Sequence, residues 1–210
     1  MSELLPLFPL PNVVLFPNVF LPLHIFEPRY RAMVADAIAG DRMIGMVLLR
    51  PGWEHDTEGS PLVFDVGCSG VITHVEQLAD GRYNIVLRGV ERFRVLEEDR
   101  SLAYRRGIVE PLSERPMDSA DRAGVRRQRA KLESMLAAST EPRGPDPRIP
   151  STMGDEDLVN ALAQYLDFEP LEKQALLEQH SLRTRAESLV ELLEIKVISS
   201  RTPCCSKVPQ

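Results

Sequence analysis

The spacing of apolar residues changes several times along the chain, and each change marks an element. Residues 4–26 are almost wholly apolar, yet Pro6, Pro9, Pro11, Pro17 and Pro22 interrupt them. Proline removes a backbone donor and breaks helices, so this stretch reads as short, kinked or edge strands joined by turns. From Pro28 the period becomes helical. Tyr30, Met33, Val34, Ala37 and Ile38 fall on one face, Pro28 suits the first turn and Gly40 the position past the end. Met43 to Leu49 is a buried-strand run, and Pro51 to Ser60 is a polar loop with Gly52 and Gly59. Leu62 to Glu76 is extended, with bends or bulges expected at Gly67 and Gly70. Asp80-Gly81 signals a hairpin. Its returning strand carries Ile85, Leu87, Phe93 and Val95 on one side, with Arg88, Arg92 and Arg94 on the other and Gly89 loosening the ladder. Leu102 to Leu112 gives a further strand.

Near residue 116 the composition shifts. Asp118 to Ala138 is helix-prone and rich in arginine, and residues 139–150 hold four prolines and a glycine, as a linker would. Leu158, Val159, Leu162, Tyr165 and Leu166 are spaced for a second helix, and Leu171 to Glu178 gives a third. Leu182, Ala186, Leu189, Val190 and Leu193 form the stripe of a fourth, with Ser181 as its N-cap. The expected class is α+β: an N-terminal, closed or nearly closed antiparallel β-barrel with one early helix, then a C-terminal helical part. Closure removes exposed strand edges. The expected units are residues 1–116, 117–198 and a flexible tail, 199–210.

Composition narrows the function. Across 210 residues, 43% hydrophobic content supports a packed core. A net charge of −6 and a pI near 5.3 argue against default nucleic-acid binding. No apolar run reaches the roughly 18 residues of a membrane span, and the start, Met1 to Pro6, lacks the basic flank of a secretory signal. A cytoplasmic protein is expected. Cys68, Cys204 and Cys205 make an odd set that argues against a disulfide framework, and the adjacent pair is short of the four ligands structural zinc requires.

Familiar catalytic patterns are missing. Gly40 and Gly45 have the spacing of a nucleotide loop, but Met46-Val47 stands where Lys-Ser or Lys-Thr is required. His24, His55, His74 and His180 have no partner at metal-ligand spacing, and His24, in an apolar run, is expected as a hydrogen-bonded core group. Nothing distinguishes Lys131, Lys173, Lys196 or Lys207 as half of a Ser-Lys dyad. The cluster Arg122, Arg126, Arg127, Arg129 and Lys131 reads as a solvated helix face balanced by Asp118, Asp121 and Glu133, since no aromatic residue interleaves for base stacking. No catalytic residue, metal or cofactor is expected. Trp53, the only tryptophan, stands out in a polar loop. It is a candidate polypeptide-binding anchor, with the alternative that it plugs one end of the barrel.

The run from Leu5 to Pro17, followed by Leu21 to Arg31, resembles the opening of the Lon protease N-terminal, substrate-binding domain. The form found in small stand-alone bacterial proteins and cereblon-like proteins is the most similar. Asp80 to Asn84, Gly89 to Arg94 and Lys173 to Glu178 match later parts of that domain, so the resemblance covers about residues 4–198. It implies a PUA-like β-barrel followed by a helical bundle, and recognition of polypeptides. The ATPase and Ser-Lys protease of full-length Lon have no counterpart in these residues, so neither activity carries over. Glu27, Arg29 and Arg31 are expected to orient the first helix. The function expected is non-catalytic binding of unfolded, misfolded or damaged protein segments, with a protease or chaperone as partner. The alternative is RNA binding through the PUA-like fold, which the acidic pI weakens.

Overall fold

The computed structural model describes residues 4–55, 61–139 and 153–201. Six strands form a mixed sheet: β1 (Leu5–Leu10), β2 (Phe20–Ile25), β3 (Met43–Leu48), β4 (Val66–Gln77), β5 (Tyr83–Asp99) and β6 (Arg105–Pro111). Helix α1 (Pro28–Ala39) lies between β2 and β3. After the strands come α2 (Ser119–Ser139), α3 (Asp155–Tyr165), α4 (Pro170–Leu177) and α5 (Leu182–Arg201). The class is α+β, and the helix positions follow the expected pattern. Pro28 occupies the first turn of α1, whose buried face is Tyr30, Met33, Val34 and Ala37. The Thr184 N–H donates to Ser181 Oγ at 3.2 Å, capping α5. The proposed linker and the tail with Cys204 and Cys205 lie almost wholly outside the described residues.

Strand order is β2-β5-β4-β3-β1-β6, and β5 also pairs with β6. The hydrogen-bonded path from β5 through β4, β3, β1 and β6 therefore returns to β5, with β2 flanking it. The 17 residues of β5 make this possible. Its first part pairs with β2, from Phe20↔Arg88 to Ile25↔Tyr83, and its second part pairs with β6, from Phe93↔Pro111 to Asp99↔Arg106. The hairpin at Asp80-Gly81 forms as expected, with Gly81 at φ 79°. The ladder of β4 slips between Cys68 and Gly70, the bulge anticipated there.

Two expectations about the sheet are corrected. It is not all antiparallel, because β1 and β3 run parallel from Leu7↔Gly45 to Leu10↔Leu48. Parallel neighbours need a long crossover, and the segment carrying β2 and α1 supplies it. Nor does Arg92 share an exposed face with Arg88 and Arg94. It is buried, 4% exposed, and turned toward the helices. His24 is hydrogen-bonded as expected, Nδ1 lying 2.7 Å from Asn84 Oδ1, but it is exposed. The strand β2 pairs on one edge only, and its alternate residues Phe20, Pro22 and His24 face outward.

The main core joins sheet and helices in one cluster, with Phe16, Val19 and Leu87 alongside Val159, Leu176 and Leu189. A smaller cluster of Leu7, Val47, Leu49, Val63 and Phe93 fills the strand circuit. Residues 16–19 lie close over β5. A Cβ on Gly89 would sit 2.0 Å from the Phe16 carbonyl oxygen, so only glycine admits this approach. The Asn18 N–H donates to the Gly89 carbonyl at 3.0 Å, and the Gly89 N–H donates to that of Val19 at 2.9 Å.

Candidate functional site

The loop bearing Trp53 leaves and returns through a short antiparallel neck. Leu49 bridges Val63, and the Arg50 N–H donates to the Leu62 carbonyl at 2.8 Å. Arg50 clamps this neck. Its Nε donates to the Val63 carbonyl at 2.8 Å, its Nη2 reaches Asp65 at 3.1 Å, and its guanidinium lies 5.5 Å from the Phe64 ring centre. Beside the neck runs a groove of about 470 Å³ bordered by Arg50, Leu62, Asp65, Val95, Leu96 and Glu98. Leu62 is 68% exposed and Leu96 is 55% exposed. Trp53, three residues after Arg50, opens the one-turn 3-10 helix Trp53–His55 and is 37% exposed. It belongs to neither core cluster. Leu62 and Leu96 were missed from the sequence. A signal existed for Leu96: in β5 it follows inward Val95 and holds an apolar group where alternation calls for a polar one.

A second cluster joins the sheet to the helices. Glu114 lies 3.0 Å from Arg92 and 2.6 Å from Arg185, whose side chain is fully buried. Arg92 Nη1 donates to the Leu177 carbonyl at 2.9 Å and to that of Gln179 at 2.5 Å. Arg185 donates to the Leu176 carbonyl at 3.2 Å and to Asn160 Oδ1 at 3.0 Å. The two guanidiniums thus neutralise the carbonyl end of α4, where a cation is favoured. Asn160 passes the network on to the Pro17 carbonyl at 3.2 Å, and Gln164 Oε1 accepts from the Phe16 N–H at 3.2 Å. Burial, then the neighbouring Arg185 charge, lowers the Arg92 guanidinium from its ordinary value. Burial, then the charge of Glu114, raises the Glu156 carboxyl. Glu114, Arg92 and Arg185 are partnered by the protein itself, so the cluster is a brace between elements.

Other reactive side chains are similarly occupied. Burial pushes the Cys68 thiol up to about 12, which keeps it protonated and unreactive at neutral pH. Lys131 pairs with Glu194 at 2.7 Å, Lys173 Nζ donates to the Gln164 carbonyl at 2.7 Å, and Lys196 donates to the Asp167 carbonyl. On α2, Arg129 meets Glu133 at 2.8 Å and Asp155 at 3.0 Å. At the start of α1, Arg29 pairs with Glu27 at 2.9 Å and stacks 4.5 Å from the Tyr30 ring centre. The described residues contain no group of His, Cys, Asp and Glu that could hold a metal ion. None of the described helices is long and apolar enough to cross a membrane.

The class these features define is an α+β domain with a groove of mixed apolar and charged lining at one end of its sheet. The chain belongs to the family of the ATP-dependent protease La (LON) substrate-binding domain, whose family model matches residues 4–194. Lon protease 2 of Myxococcus xanthus is 27% identical over 197 residues, which covers 92% of this chain and 24% of that protein. The Lon protease of Parabacteroides distasonis is 30% identical over 201 residues, covering 91% of this chain and 24% of its own length. The chain thus spans about a quarter of these relatives. Among solved structures, the N-terminal domain of Mycobacterium avium complex Lon protease aligns with a TM-score of 0.67 at 17% identity, over 91% of this chain and 98% of that one. The crystal structure of a Lon N-terminal domain protein from Xanthomonas campestris aligns with a TM-score of 0.58 at 22% identity, over 96% and 99%. At these identities the likeness is one of fold.

Proposed function

We propose that this chain is a non-catalytic module that captures unfolded or damaged polypeptide segments and works as an adaptor for a protease. The supporting observation is the groove at the Trp53 loop, where Leu62 and Leu96 stand exposed on a domain of the LON substrate-binding family. Unfolded chains expose apolar side chains, and binding them requires apolar surface that folding has left uncovered. Trp53 is the proposed anchor, because an indole buries a large area with few torsions to freeze. Within this reading the closed strand path is a PUA-like barrel, the C-terminal helices form a bundle against it, and residues 1–116 and 117–198 are its two units. The protein acts in the cytoplasm.

Because Trp53 is the only tryptophan, its emission reports on the loop that leaves the groove at Arg50 and returns to it at Leu62. The test titrates the protein with a reduced, unfolded, tryptophan-free client and repeats the titration calorimetrically with Trp53→Ala. The variant should lose about 1–3 kcal/mol of binding with its thermal stability intact. Equal binding by a stable variant would remove Trp53 as the anchor. A variant that loses stability would identify it as a packing residue.

A further inference from the structure

The strand circuit has a second opening, away from the Trp53 loop, between the end of α1 and strand β6. A cavity of about 360 Å³ lies there. Its floor is apolar: Leu5, Met43, Phe93 and Val109 line it. The volume lies at the lower end of ligand pockets and suits one large side chain rather than a folded surface.

Charge at the rim selects the occupant. Asp36, Asp41 and Glu91 line the cavity together with one cation, Arg106. Arg106 is already paired, its Nη2 lying 2.5 Å from Asp99 and 3.1 Å from Ser101 Oγ. Asp36 accepts a 2.7 Å hydrogen bond from the Tyr104 hydroxyl, and Asp41 accepts one of 2.9 Å from the Met43 N–H. Among the described residues none of the three carboxylates forms an ion pair with a cation. An apolar floor under a net negative rim favours a ligand that is apolar at its tip and positive at its shoulders.

We propose that this cavity is a second polypeptide subsite, taking an aromatic or large aliphatic side chain flanked by lysine or arginine in an extended segment. This rests on the polypeptide-binding function proposed above and adds a sequence preference to it. Segments of this kind are exposed when basic proteins unfold, so clients would be sorted by charge pattern as well as by apolar content.

The test compares two peptides, Ser-Gly-Lys-Phe-Lys-Gly-Ser and Ser-Gly-Glu-Phe-Glu-Gly-Ser, blocked at both ends, by calorimetry at low and at physiological salt. The lysine peptide should bind about tenfold more tightly, and the gap should narrow as salt screens the rim. Glu91→Lys should shrink or reverse that preference at unchanged melting temperature. Equal binding of the two peptides, or a preference that Glu91→Lys does not touch, would overturn the subsite. A separate arm uses phenethylamine, which carries the same chemistry without a polypeptide, and follows the methyl NMR signals of Leu5 and Val109. Shifts at those methyls in a protein that ignores unfolded clients would keep the cavity and discard the general function. Client binding without such shifts would do the reverse.

Discussion

Glu114 illustrates how much can depend on one carboxylate. It is the counter-ion shared by Arg92 and Arg185, two guanidiniums taken almost wholly out of water. Removing one partner of such a set leaves uncompensated buried charge, so Glu114→Ala should cost about 3–5 kcal/mol in urea unfolding. Replacing Arg92 by Met in that background should restore part of the loss, because the two sites share one interaction. Glu156 behaves in the opposite sense. Its carboxyl is raised in the folded state, so the folded protein holds that proton more tightly than the unfolded chain does. Its ionised form therefore opposes folding, with a penalty absent at acid pH that grows as pH rises through the folded-state value. Glu156→Gln should raise the melting temperature at neutral pH and lose that advantage in acid, as calorimetry at the two pH values would record. An equal gain at both would rule out the carboxyl as the cause. None of this was legible in the sequence, where Glu114, Glu156 and Arg185 are ordinary charges. Their roles arise from a contact between β5 and the helices α4 and α5, whose Arg92–Leu177 bond joins residues 85 apart in the chain.

At the scale of elements, period and punctuation carried most of the information. The apolar faces of α1 and α5, the hairpin at Gly81 and the bulge near Gly70 depend on neighbours in sequence, and they are found where spacing put them, whereas Tyr165, counted into the face of α3, is 65% exposed and Asn160, Ala163 and Gln164 are buried instead. Pairing between distant strands carries no such signal. That β1 lies parallel to β3 could not be read from either strand, and Arg92 was misassigned because the β4–β5 ladder changes register and so shifts which residues face inward. Gly89 shows the same limit. The sequence marks it as a weak point in a strand, whereas the structure makes it the place where residues 16–19 cross β5. Gly89→Ala should therefore destabilise by about 1–3 kcal/mol or separate that segment from the strand. The midpoint of chemical denaturation would measure the first outcome and amide exchange at Asn18 the second. No change in either would remove the close approach as a constraint.

On the scale of the whole molecule, the helices complete what the sheet leaves open. The Phe16 N–H, the Pro17 carbonyl and the Arg92 guanidinium all find partners on α3, α4 or the turn after it. We therefore expect one cooperative unfolding transition, even if residues 1–116 and 117–198 are distinguishable as units. Thermal unfolding followed by Trp53 emission and by helical circular dichroism should give coincident curves. Two separated transitions would show that the interface contributes little. The loop was partly legible, since a tryptophan among polar neighbours is conspicuous, but the groove beside it is lined by Leu62 and Leu96, which only the fold brings together.

The crossing of residues 16–19 over β5 also bears on how the chain is made. During synthesis Leu5 must wait for Gly107 before β1 can pair with β6, and Phe16 must wait for Gln164. Even the earlier partners of the apolar stretch, Gly45 for Leu7 and Arg88 for Phe20, are made only after the stretch itself. Its five prolines interrupt any unbroken ladder that copies of the stretch could form with one another. Pro6 and Pro9 in β1 and Pro22 in β2 thereby disfavour pairing between copies of the nascent segment before its cover is made.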